Sequence, residues 1–222
     1  MKIFIVLAHA EVKSFNASMF QQAIRTLETQ GHQVQTSDLY RMEFSSRSYR
    51  NNYSSMDDAG FFKQQLEELR ASKINGFSPE IEAEISKVEW CDLMIWQFPL
   101  WWFSVPGVLK GWVDRVFAMG RVYGEGRMFE QGYFKGKKAL LSITTGAEKT
   151  AYSKDGLLGD IDSIIRHVQR GMLAYTGFDV LKPHIIYGPV RMEGQGREDQ
   201  LEKYSSRLKN IFEEGPIEVG RY

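Results

Sequence analysis

Three stretches of the chain combine residue types that bind ligands, and each follows directly on an apolar run. They are HAEVKSFN at residues 9–16, PLWWFS at 99–104 and TTGAEKTAYS at 144–153. The first can open a helix N-terminus, where free N–H groups and the helix dipole favour a phosphate. The second is aromatic and apolar, and the third has small residues that let the backbone approach a planar ligand closely. Together they predict one anion-binding wall and two walls suited to a flat ring.

Five apolar runs alternate with helical patterns, and three of these runs lead into the ligand-binding stretches. We assign strands to residues 2–8, 33–40, 93–96, 137–144 and 180–186. This alternation predicts the α/β class, with a doubly wound five-stranded parallel sheet and helices on both faces. The common right-handed strand order 2-1-3-4-5 places the ends of strands 1, 3 and 4 side by side. The three stretches are therefore expected to meet in a single pocket.

Helical spacing and capping residues place the connecting helices. Ser14 or Asn16 can cap the first helix, and Ser78 followed by Pro79 begins another that continues to Trp90. Further helices are expected over residues 61–70, 106–117, 160–175 and 201–211.

Residues 41–77 have no steady hydrophobic period and are expected to form an irregular insertion. Long irregular segments often lie across a site or an interface. No linker, repeat or low-complexity tract divides residues 1–222, which indicates one domain.

The composition excludes several classes of partner. Lys+Arg and Asp+Glu both number 28 in 222 residues, so the formal net charge is zero. This balance argues against nucleic acid or an anionic membrane surface. The N-terminal apolar run is too short for a secretory signal or a membrane span, so we expect a soluble, cytoplasmic protein with no membrane insertion. The single cysteine, Cys91, is expected in the core.

Several common cofactor and catalytic motifs are missing from the sequence. No G-x-G-x-x-G follows the first strand, and neither a P-loop nor a G-x-S-x-G elbow occurs. The four histidines lack metal-ligand spacing, so no metal site is expected. A phosphate wall beside a slot for a flat ring suits a flavin better than a nicotinamide dinucleotide. The stretch at residues 99–104 leaves an alternative open, which is that Trp101, Trp102 and Phe103 only cap the end of the sheet.

Several motifs resemble the NAD(P)H:quinone oxidoreductases of the DT-diaphorase type, which have a flavodoxin-like fold. They are LAH with SFN near the N-terminus, QFPLWWFSVPGVLKGWVDRVF, SITTG, and a tyrosine six residues past that glycine. The long block is highly specific, LAH and ITTG alone are weak, and the resemblance covers residues 1 to about 215. It implies a cytosolic homodimer with the site at the subunit interface. It also implies bound FAD, with FMN less favoured, and two-electron reduction of quinones by NADH or NADPH.

The resemblance also assigns roles to individual residues. The pyrophosphate and ribityl part of the cofactor would be held by His9, Ser14, Phe15, Asn16 and Ser18. The flavin would lie along Pro99, Leu100, Trp102 and Phe103, and against Thr144, Thr145, Gly146 and Ala147. The adenine side would meet Arg197 and Leu201. Tyr152 matches a tyrosine that hydrogen-bonds the flavin during hydride transfer, and is the expected catalytic residue. Substrate would contact Trp102 and Phe103, and be covered by Tyr123 and Tyr175 from the partner subunit.

The chain departs from the family pattern at four positions near the expected site. Leu158 stands where the family has a histidine credited with taking up charge or a proton as the flavin is reduced. Trp101 replaces a pocket glutamine, Ala147 a second glycine, and Glu125 a tyrosine. These changes bear on rate and substrate range, and they leave the implied FAD in place.

The expected function is hydride transfer from NAD(P)H to a quinone or similar planar electrophile by a ping-pong mechanism. One alternative is a flavodoxin-like electron carrier, although carriers generally present a charged docking face. A second is a redox-sensing regulatory subunit of a membrane transporter. A third is reduction of azo or nitro compounds, which the same site could perform.

Overall fold

A parallel sheet forms the centre of the computed structural model, which describes residues 1–56 and 60–221. The strands are β1 (Lys2–Leu7), β2 (Gln33–Asp38), β3 (Leu93–Pro99), β4 (Lys138–Thr145), β5 (Asp179–Val180) and β6 (His184–Tyr187). The helices are α1 (Phe15–Thr29), α2 (Gln64–Ile74), α3 (Pro79–Trp90), α4 (Gly107–Val116), α5 (Ile161–Val168) and α6 (Gly194–Lys209). The strand order is β2-β1-β3-β4-β5, with β6 also paired to β4. The predicted α/β class and strand order are thus confirmed.

The predicted fifth strand over residues 180–186 is wrong as a continuous element. It consists of β5 and β6, which pair separately with the two ends of β4. Pro183 lies in the gap, and proline has no N–H to donate to a ladder. Over residues 1–56 and 60–221 the sheet therefore has six strands, two of which share the fifth position.

Alternate residues of the central strands enter two separate apolar clusters, one on each face of the sheet. Phe4 and Trp96 belong to one cluster, whereas Ile3 and Ile95 belong to the other. Every residue of β3 is buried, as expected for a strand covered by helices on both faces. The burial continues into Leu100, the first residue after β3.

The segment at residues 41–77, of which residues 41–56 and 60–77 are described, is not irregular throughout. It contains α2, near the short helix predicted over residues 61–70, and it packs on α4 through the buried Arg115 side chain. Arg115 Nε donates to Asn52 Oδ1 over 2.7 Å, and its guanidinium also donates to the Ser45 carbonyl. The Arg115 charge is paired with Glu80 on α3 over 2.9 Å, and the bonds to Asn52 and Ser45 hold the segment against α4.

The predicted helix starts are confirmed in part. Pro79 is the first residue of α3, although the Ser78 side chain makes no capping hydrogen bond, and the last helix begins at Gly194 rather than at residue 201. Ser14 caps α1, so Ser14 rather than Asn16 has this role. The helix predicted over residues 160–175 changes character, because α5 ends at Val168 and a π-helix follows over Gln169–Ala174. Within the part of the chain that is described, no helix combines the length and apolar character needed to cross a bilayer.

Candidate active site

A cavity of about 680 Å³ opens where β1, β3 and β4 end. All three predicted stretches contribute to its walls, so they do converge. The lining residues are His9, Lys13, Ser14, Phe15, Asn16, Ser18, Pro99, Leu100, Trp101, Thr144, Thr145, Gly146, Pro189, Val190 and Arg197. Of the predicted cofactor-binding residues, the cavity does not include Trp102, Phe103, Ala147, Tyr152 and Leu201.

The N-terminus of α1 forms the first wall. Ser14 Oγ accepts a hydrogen bond from the Ala17 N–H over 3.1 Å, and the Ser18 N–H donates to the Ser14 carbonyl. The N–H groups of Phe15 and Asn16 precede the first intrahelical bond, and both residues line the cavity. The cation of Lys13 lies on the same wall. Free N–H groups, the helix dipole and a lysine together favour a bound anion.

Two hydrogen bonds of buried side-chain amides join the elements that carry the three walls, which are β3, α1 and β4. Gln97 Nε2, on β3, donates to Asn16 Oδ1 over 2.9 Å. Asn16 Nδ2 in turn donates to Thr144 Oγ1 over 2.8 Å. Asn16 is 4% exposed, so its amide serves as a link between α1 and the end of β4. Sequence reasoning missed Gln97, because a glutamine within an apolar strand gives no signal of its partner.

We expect Gln97→Leu to destabilise the protein by about 1–3 kcal/mol, because it leaves the buried Asn16 carbonyl oxygen without a donor. Urea denaturation measures the change, and Gln33→Leu at the exposed start of β2 is the matched control. A variant as stable as the wild type would show that the amide link contributes nothing.

The loop after β4 forms a second wall made mainly of backbone. Thr145 Oγ1 donates to the Ala147 carbonyl over 2.8 Å, and the Gly188 N–H donates to the Thr145 carbonyl. The Arg191 guanidinium donates to the Gly146 carbonyl. A Cβ added at Gly146 would meet no atom within 4 Å, so this fixed loop presents a flat peptide surface with open space beside it.

The aromatic turn after β3 forms the third wall. Trp101 lines the cavity, and its ring lies 6.0 Å from that of His9. Trp102 is 95% exposed and Phe103 is 47% exposed. The interpretation that these rings only cap the sheet is therefore wrong. Among the described residues, no acceptor receives the N–H of Trp102 or of Phe103.

Comparison with known proteins identifies the relatives of this chain. A family model described as the flavodoxin-like fold matches residues 1–211. NAD(P)H dehydrogenase (quinone) 1 of Rattus norvegicus is 41% identical, over 97% of this chain and 79% of that protein. Ribosyldihydronicotinamide dehydrogenase (quinone) of Rattus norvegicus is 42% identical, over 97% of this chain and 94% of that protein. The chain belongs to the NAD(P)H:quinone oxidoreductase family.

A solved structure agrees with this family. A candidate quinone reductase from Klebsiella pneumoniae superposes with a TM-score of 0.91 at 36% identity, covering 98% of this chain and 87% of that one. The agreement extends over nearly the whole chain.

Tyr152, which the sequence predicts as the catalytic residue, lies beside a second tyrosine. Tyr152 is buried, and its ring centroid lies 6.0 Å from that of Tyr187. Burial raises the pKa of Tyr152 above its ordinary value. Leu158, at the family's histidine position, packs against the main core and can neither accept nor release a proton.

The two aromatics expected to cover a partner's pocket lie together on this chain. Tyr123 and Tyr175 line a separate cavity of about 240 Å³, which also contains Glu68. The Tyr123 hydroxyl donates to Glu68 Oε2 over 3.2 Å. Burial and the Glu68 carboxyl raise the pKa of Tyr123 to about 12. Of the remaining predicted residues, Arg197 lines the main cavity, whereas Leu201 packs against the core between α1 and α6.

Proposed function

We propose that this protein is a flavin-dependent oxidoreductase that transfers a hydride from NAD(P)H to a quinone or a similar planar electrophile. One observation carries the proposal: the same cavity joins the free N–H groups of a helix N-terminus to a slot between a peptide wall and an indole ring. The first feature fits a phosphate, and the second fits a flat ring system. The relatives named above are quinone dehydrogenases, which supports the same reaction.

The residues present fit FAD better than FMN. The phosphate would lie at Phe15, Asn16 and Lys13, and the isoalloxazine beside Trp101 and the loop at Gly146. The cavity continues beyond the phosphate wall to Pro189, Val190 and Arg197, which offer an apolar surface and a cation for an adenosine diphosphate end. Bound flavin supplies the hydride chemistry, while the protein binds and orients it.

The protein's own groups would prepare the site for hydride transfer. In the described part of the chain, the N–H groups of Trp102 and Phe103 have no backbone acceptor and would donate to the polar edge of a ring. The N–H groups of Gly146 and Ala147 are likewise without a backbone acceptor. Tyr152 would hold its hydroxyl hydrogen toward the oxygen that gains negative charge. Groups oriented in advance toward developing charge stabilise the transition state without reorganisation.

Tyr152→Phe should slow flavin reduction by NAD(P)H by about tenfold and leave the flavin content unchanged, because only a donor is removed. Anaerobic stopped-flow absorbance measures the rate, and Tyr187→Phe is the matched control on the neighbouring ring. An unchanged rate in Tyr152→Phe would show that the tyrosine is misassigned.

The ionisation of Tyr152 should not change the rate of flavin reduction over the neutral pH range. Its pKa is raised by burial, so the donating phenol persists above the ordinary value of about 10 and is lost only at higher pH. A fall in the reduction rate between about pH 7 and pH 9 that vanishes in Tyr152→Phe would contradict this.

We also infer a homodimer, a cytoplasmic location and a shared pocket that NAD(P)H and the acceptor occupy in turn. The exposed Trp102 and Phe103 rings support a partner subunit that covers them. Tyr123 and Tyr175 offer an aromatic surface of the kind that could cover these rings.

Alternate occupancy of one pocket by NAD(P)H and the acceptor predicts a ping-pong mechanism, in which double-reciprocal plots at several acceptor concentrations are parallel. Intersecting plots would overturn the mechanism.

Experiments on the same purified protein distinguish quinone reduction from two other candidate functions, electron carriage and a role as a transporter subunit. A flavodoxin-like carrier would accept electrons one at a time in a redox titration, and a balanced charge of 28 against 28 gives no reason to expect one. A transporter subunit would be recovered with its membrane partner. Azo and nitro compounds are tested as acceptors in the quinone assay.

A further inference from the structure

The aromatic turn holds two bulky residues in a backbone region that suits glycine. The φ angle is 50° at Trp102 and 60° at Phe103. Left-handed backbone is uncommon for residues other than glycine, and two-residue turns with positive φ at both central positions prefer Asn-Gly. Such a conformation persists only where its surroundings hold it, and it is concentrated at functional sites.

The turn is closed locally, but its tip is not held by packing. The Trp101 N–H donates to the Ser104 carbonyl over 3.1 Å, and the Ser104 N–H donates to the Trp101 carbonyl over 3.0 Å. These bonds join the two ends of the turn to each other. The Trp102 ring is almost fully exposed and gains little from burial. At one end, the Leu100 N–H ties the turn to β4 by donating to the Thr144 carbonyl over 2.8 Å. A further contact fixes the other end, at Ser104.

His167 on α5 supplies that contact. Its Nε2 lies 3.0 Å from Ser104 Oγ, and its Nδ1 lies 3.0 Å from the Ile164 carbonyl oxygen. A carbonyl can only accept, so Nδ1 carries the hydrogen, and Nε2 of the neutral ring accepts from the Ser104 hydroxyl. Two bonds thus fix the imidazole, and the imidazole fixes Ser104. The π-helix at residues 169–174 begins two residues later.

We propose that His167 is a positioning residue that sets the aromatic turn, and through it the Trp102 and Phe103 N–H groups, against the flavin. The identity of the ligand rests on the proposed function, whereas the contact between His167 and Ser104 does not. Removal of the imidazole lets the turn relax toward ordinary backbone angles. The two N–H donors then lose their alignment while the anion wall at α1 stays intact.

The experiment uses His167→Ala, Ser104→Ala and the double variant that combines these two substitutions. A fourth variant, His167→Gln, keeps an acceptor for the Ser104 hydroxyl. Amide hydrogen exchange at Trp101 and Ser104 reports the turn, with and without flavin. In His167→Ala we expect amide exchange to be about tenfold faster and hydride transfer to be about tenfold slower. The double variant should show the same exchange and hydride-transfer rates as the single variants, because both substitutions remove one contact. His167→Gln should recover most of both losses. His32→Ala, whose ring packs on Phe212 away from the site, is the control.

Unchanged exchange at Trp101 and Ser104 in His167→Ala would overturn the proposal, as would additive losses in the double variant. Faster exchange with an unchanged hydride-transfer rate would also overturn it, because the turn would then not align the reaction. A wild-type chain that binds no flavin would instead overturn the proposed function, and exchange in the flavin-free protein would still decide whether His167 holds the turn.

Discussion

Ser14→Asp should weaken flavin binding by about 100-fold and leave the folded state as stable as before. Aspartate is as good an N-cap as serine, and a carboxylate is favourable at a helix N-terminus. The same charge would stand where the phosphate is expected to bind. Two unit negative charges about 5 Å apart repel by about 3 kcal/mol at an effective dielectric constant near 20. Flavin titration by fluorescence measures the affinity, and urea denaturation measures the stability.

Two controls separate charge repulsion from a damaged helix. Ser14→Ala removes the cap and should cost about 1 kcal/mol of stability, with a smaller loss of flavin affinity. Riboflavin, which has no phosphate, should bind the wild type and Ser14→Asp equally. Equal losses for riboflavin and for the phosphorylated flavins would show that the phosphate is not bound at α1.

Gly111→Ala should destabilise the protein by about 3 kcal/mol or more, because there is no room for a side chain. A Cβ at Gly111 would lie 2.3 Å from the Ser46 Cα and carbonyl oxygen. These are backbone atoms, so relief requires the segment at residues 41–53 to leave α4. Thermal unfolding of the purified variant gives the change.

Gly107→Ala in the same helix is the matched control. A Cβ there meets no atom within 4 Å, and alanine favours helix over glycine by up to about 1 kcal/mol. We expect equal or slightly higher stability for this variant. Equal stability of Gly111→Ala and the wild type would contradict the close contact between α4 and Ser46.

The strand order and the meeting of the three loops could be predicted because both follow from local patterns. The apolar runs at β1, β3 and β4 have no competing period, and right-handed crossovers leave few arrangements. Ser14 and Pro79 mark the helix starts by their own chemistry. Arg115, in contrast, gives no sign along the chain that it binds residues 45–52, since that contact depends on tertiary packing.

The rest of the site could be predicted only in part. Lys13 and Trp101 line the cavity because of the angle at which the loops leave the strands, which sequence spacing does not fix. The link from Gln97 through Asn16 joins residues 81 positions apart. Pro183 does carry a visible signal, since proline interrupts a ladder, but the apolar residues on either side of it favour a continuous strand.

The most direct test of the central claim is the mass of the chromophore released from the purified protein. We expect a yellow protein that releases FAD at one molecule per chain, and that regains it when apoprotein is mixed with FAD. A colourless chain that takes up neither FAD nor FMN would contradict the claim that this cavity binds a flavin.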